Sequence, residues 1–76
     1  MQFQAVLGSR VVSYPRAATF AIERREPGKK YSLMATKDSI EGAIGKLHRA
    51  AKPGTITRLS YIEDGRFHPM VREVHI

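Results

Sequence analysis

The clearest hydrophobic pattern lies between Thr36 and Gly54, TKDSIEGAIGKLHRAAKPG, where Ile40, Ala43, Ile44, Leu47 and Ala51 form an apolar series. Their i, i+3, i+4, i+7 spacing lines one face of a helix, the stripe that packs on a core. Both ends carry matching signals. Thr36 or Asp38 is suited to cap the N-terminus, and Asp38 and Glu41 suit the positive end of the helix dipole. Lys46, Arg49 and Lys52 suit the negative end, and Pro53-Gly54 predicts the stop. The face away from the stripe, Gly42, Gly45, Lys46, Arg49 and Lys52, is flat and basic.

Elsewhere the period is two. Met1, Phe3, Ala5 and Leu7 alternate, Gly8-Ser9 offers a two-residue turn, and RVVSY follows, so residues 2–14 read as a hairpin that Pro15 ends. Ala18–Arg25 is the next strand, with Phe20 and Ile22 on one face and Glu23 on the other. Pro27-Gly28 supplies a turn, and Lys30–Ala35 returns with Tyr31, Leu33 and Ala35 alternating. After the helix, Thr55–Glu63 and Arg66–Ile76 form a hairpin about Asp64-Gly65, with Met70, Arg72, Val74 and Ile76 alternating. Pro69 predicts an edge position or a bulge. The order is ββββαββ, or βββαββ with one strand fewer. This is an α+β antiparallel sheet built from hairpins, with one helix packed on one face. Its predicted core is the helix stripe together with Phe3, Phe20, Ile22, Leu33, Leu59 and Val74.

The 76 residues make a single domain, 1–76, with a thin core, since a chain this short buries only about 60% of its unfolded surface. Association of two copies is one way to enlarge that core, which leaves a homodimer open. The absence of cysteine excludes disulfides and thiolate metal sites. No signal peptide and no membrane-length apolar run are apparent, so the expectation is a cytoplasmic protein with no membrane association.

Thirteen Lys and Arg against seven Asp and Glu give a net charge of +6. Small basic proteins bind phosphate polymers through counterion release and long-range attraction. The densest cluster is the tip of the second hairpin, Arg24, Arg25, Lys29 and Lys30. The helix face with Lys46, Arg49 and Lys52 is a second candidate contact. Its Gly42 and Gly45 suggest close approach by a partner, because each costs about 0.8–1.0 kcal/mol against Ala in a helix interior. The segment RVVSYPR is a third, in which Tyr14 between Arg10 and Arg16 either stacks on a base or packs at the edge of the core.

Catalysis requires convergent groups in a concave site, and the residues present no such set. His48, His68 and His75 lack metal-ligand spacing and an accompanying carboxylate pattern, and His75 is expected to face solvent. EPGKKY lacks the remaining residues of a phosphate loop. Gly42-Ala43-Ile44-Gly45 matches the GxxG of KH domains, but here the helical phase runs through it unbroken. No catalytic residue, metal ligand or cofactor is expected.

In element order only, the layout of YSL, helix and GTITRLSYIEDGRF resembles small phage-encoded inhibitors of the anti-CRISPR kind over residues 18–76. The hairpin followed by SIEGAI is also similar to antitoxin domains of the HicB type, from which the chain departs in lacking their Pro-Gly-Cys segment and acidic strand ends. The first resemblance implies a non-enzymatic inhibitor that acts by occupying a surface. Together with the charge, the expectation is a binding protein for nucleic acid or a nucleoprotein complex. A protein–protein inhibitor or adaptor that needs no nucleic acid is the alternative.

Overall fold

The computed structural model describes residues 2–7, 10–16 and 19–75. Among them the chain forms β1 (Gln2–Leu7), β2 (Arg10–Pro15), β3 (Thr19–Arg25), β4 (Ser32–Lys37), α1 (Ile40–Ala50), β5 (Ile56–Glu63) and β6 (Arg66–Val74). This is the ββββαββ order. The expected turn at Gly8-Ser9, and Met1, Ala18 and Ile76, lie outside the described residues, as do the side chains of Leu7 and Val74.

β1 and β2 pair with each other, and the other four strands form an antiparallel sheet in the order β4-β3-β5-β6. The hairpins are set by their turn residues. The Lys29 amide donates to Glu26 O at 3.0 Å across Pro27-Gly28, with Gly28 at φ 78, as a type II turn requires. Asp64 and Gly65 both take positive φ, 53 and 73, the geometry of a type I′ turn between β5 and β6.

α1 lies across one face of the four-stranded sheet. Its buried residues, Ile40, Ala43, Leu47 and Ala50, meet Phe20, Ile22, Leu59 and Val71 in the core. The β1–β2 hairpin contributes Val12 to the same cluster, with Ala5 and Tyr14 packed against it. Helix and hairpin therefore share one layer, and among the described residues the opposite face of the sheet carries no second layer.

The helix is shorter than its sequence signals. Thr36 and Lys37 pair with Ala21 and Phe20, so they belong to β4. The N-cap is Ser39, whose Oγ accepts from the Gly42 amide at 3.1 Å, rather than Thr36 or Asp38. The helix ends at Ala50, before Lys52 and the Pro53-Gly54 turn, and the stripe closes on Ala50 instead of Ala51.

Two bulges redirect side chains. Between Ile22 and Glu23 the β4 register slips, so Ala35 faces Ile22 but Leu33 faces Glu23 on the uncovered side, where it is 55% exposed. Between Leu59 and Ser60 the β6 register slips at Met70. Val71 is thereby buried opposite Leu59, whereas Arg72 is exposed. Phe3, expected in the core, is 39% exposed and lies against Tyr14, with ring centroids 5.9 Å apart.

Candidate polyanion interface

Strand register gathers residues that are distant in sequence. Arg25 pairs with Ile56 and Ile56 with Val74, so the β3–β4 turn, the start of β5 and the end of β6 lie at one end of the sheet. The Arg24 Nη1 group donates to Ala50 O at 2.8 Å, which brings the C-terminus of α1 to the same end. Arg24, Arg25, Lys29, Lys30, Arg49, Lys52, Arg58 and Arg72 therefore share one half of the molecule, against Glu23, Glu26 and Glu73.

The other end is nearly balanced. It holds the β5–β6 turn, the end of β4 and the N-terminus of α1. Asp38, Glu41, Glu63 and Asp64 lie there beside Arg16, Lys37 and Arg66. Charge that is dispersed along the chain is polarised in the fold.

At the basic end, Arg24, Arg25, Lys29 and Lys30 line one shallow depression with Glu26, Ser32 and Met34. The four have different duties. Arg24 is engaged with the last helical carbonyl, a site that favours a cation. Arg25 lies near the Tyr31 ring, 5.4 Å from its centroid. Lys29 pairs with Glu26 at 3.2 Å, but both side chains are exposed and such a pair is worth little. Lys29 and Lys30 are exposed and available to a ligand.

On the uncovered face, Arg58 donates through Nε and Nη2 to Glu23 Oε1 at 3.1 and 3.0 Å, and its guanidinium lies 3.9 Å from the Tyr31 ring centroid. Arg72 is the cross-strand neighbour of Arg58. No local pattern in the sequence announces this group, because Glu23 and Arg58 are 35 residues apart and only the β3–β5 register joins them.

Of the other expected contacts, Arg49 and Lys52 lie towards the basic end, near the C-terminus of α1, and the rest are dispersed. Gly42, Gly45 and Arg49 do form the outer side of α1, with the Arg49 guanidinium folded over Gly45: a Cβ there would lie 3.5 Å from Nη1. Lys46 is half-buried, and Lys52 lies beyond the helix. Gly42 has a local reason to be glycine, since a Cβ would meet the capping Ser39 Oγ at 3.0 Å. Arg10 is exposed on β2. Tyr14 is held between Phe3 and Phe20, in a T-shaped contact with the latter at 5.3 Å, so its ring is occupied at the core edge. Arg16 lines a separate depression with Asp38 and Glu41.

His75 does not face solvent as expected. Its Nε2 shares a 3.0 Å hydrogen bond with Thr57 Oγ1 and lies 3.4 Å from Glu73 Oε2. This trio lacks the geometry of a catalytic triad, in which the nucleophile and the orienting carboxylate meet different ring nitrogens of the histidine. Thr57 is also fully buried, out of a substrate's reach. The His75 backbone amide and carbonyl bond Thr55 and Gly54, which fastens the end of β6 to the loop after the helix. Among the described residues no group of His, Asp and Glu is placed to hold a metal ion, and no helix is long and apolar enough to cross a membrane.

Comparison with protein-family models, with curated proteins and with solved structures returned no match.

Proposed function

We propose that this protein is a non-enzymatic binding module whose basic end occupies the phosphate backbone of a nucleic acid or of a nucleoprotein complex. The observation that carries this reading is the polarised charge: the hairpin tip and the helix C-terminus meet at one end, where cations outnumber carboxylates. Phosphate polymers reward such clustering, because each neutralised phosphate releases condensed counterions. Lys29 and Lys30 are the leading contacts, with Arg25, Arg49 and Lys52 around them. Occupancy of such a surface would suit a small inhibitor of host defence carried by a phage or other mobile element, acting in the cytoplasm.

The test is binding to short single- and double-stranded DNA and RNA at low and moderate salt. Affinity should fall linearly on a log–log salt plot. Lys29→Glu with Lys30→Glu should make that slope shallower, by about 0.9 for each duplex phosphate the two lysines neutralise. These two positions are preferred because reversing Arg24 would also disturb the helix end. Failure to bind any nucleic acid at low salt would overturn the reading.

A protein partner is the second reading, favoured by the apolar outer side of the β1–β2 hairpin. Val6 and Val11, directly paired, are 69% and 63% exposed there. Affinity for such a partner would change little with salt and would disappear in Val6→Asp.

A further inference from the structure

The sheet face opposite α1 combines three features. Among the described residues it carries no helix or second sheet, it is net positive, and it holds exposed apolar side chains. One cross-strand row contains Leu33, Glu23, Arg58 and Arg72. Four residues further along β5, Ile62 pairs with Phe67, which is 43% exposed on the same face. Between these rows Ala21 and Ser60 are small and fully buried beneath their neighbours. Ser60 Oγ has no hydrogen-bond partner among the described residues.

Resting on the polyanion reading, we infer that this face takes a single strand rather than a duplex: Phe67 supplies the platform on which a base stacks, and the exposed Arg72, beside the Glu23-paired Arg58, neutralises phosphate. The exposed ring favours a single strand, because the bases of a duplex are stacked on one another and not free to stack on Phe67. An unstacked strand has no such limit, and open antiparallel sheets seat two or three bases on aromatic side chains. The rows of Arg72 and Phe67 are about 13 Å apart along the sheet, since their partners Arg58 and Ile62 are four residues apart on β5, so one strand crossing the face would meet both.

Charge decides against a second copy. Arg25, Arg58 and Arg72 face one carboxylate, Glu23, on this side, so a two-fold pairing of the face with itself would enclose like charges. A strand of phosphates meets the same surface with complementary sign.

The experiment compares short oligothymidylate and oligouridylate with a duplex of equal length by fluorescence anisotropy at two salt concentrations. Single strands should bind more tightly than duplex. Phe67→Ala should weaken single-strand binding about tenfold while leaving duplex binding unchanged, and Phe67→Tyr should restore it. Lys29→Glu with Lys30→Glu should weaken both ligands, which separates the tip from the face. Equal affinity for the two ligands, or an unchanged single-strand affinity in Phe67→Ala, overturns this inference and leaves the polyanion reading standing. No binding of either ligand overturns both. Dimers in sedimentation that Phe67→Glu dissociates would overturn the assignment in favour of a second copy.

Discussion

At the residue scale, the two helical glycines separate cleanly. Gly45→Ala places a methyl group in ordinary van der Waals range of Arg49, at 3.5 Å, and should gain the helix propensity difference of about 0.8–1.0 kcal/mol in urea denaturation. Gly42→Ala should gain less, because its methyl would crowd Ser39 Oγ at 3.0 Å and displace the cap. The shortfall should shrink in a Ser39→Ala background, where there is no cap left to disturb, and a double-mutant cycle measures it directly. Glu23 makes a different kind of prediction. It is buried, and its carboxylate takes both bonds from Arg58, so Glu23→Gln should cost roughly 1–3 kcal/mol by the same assay. Alternation along the strand places Glu23 on the side away from Phe20 and Ile22. It could not show the partner, since nothing local links positions so far apart. Nor did the sequence point to Ser39 as the cap, because Thr36 and Asp38, the two expected residues, carry equally suitable oxygens. The choice is made by β4, whose pairing extends to Lys37 and leaves Ser39 just before the first helical turn.

At the scale of elements, the hairpins and helix were legible because turn chemistry and periodicity agree along each of them. Pro-Gly and Asp-Gly fix two turns by backbone geometry alone, and the stripe from Ile40 to Leu47 fixes the helix face. Two errors in the predicted core, Leu33 and Val71, arise at the two bulges. A strict period of two assigns Leu33 to the side of Ala35 and Arg72 to the side of Met70, whereas one extra residue in each strand reverses the phase. Val71 was missed for that reason. The C-terminus of α1 illustrates a tertiary effect that no helix signal contains: Arg24, from the neighbouring strand, satisfies the carbonyl of Ala50. Arg24→Gln should therefore fray the last helical turn. Hydrogen exchange should quicken at the amides nearest Ala50, with stability falling by about 1 kcal/mol, while amides near Ser39 keep their protection.

On the scale of the whole molecule, the candidate surface was legible only in part. The density of cations at the hairpin tip is visible between Arg24 and Lys30, and so is the basic helix end. Their union at one end, and the arginines beside Tyr31, arise from sheet order and register. The polarity has a kinetic consequence as well. A molecule positive at one end and nearly neutral at the other is a dipole, and in the field of a nucleic acid it turns while still diffusing. It would arrive tip first, with much of the rotational search completed before the two surfaces touch. Stopped-flow association with a short strand should thus slow steeply as salt rises, while dissociation changes much less. Lys29→Glu with Lys30→Glu should act mainly on the association rate, so the hairpin tip would serve as the molecule's leading edge in each encounter.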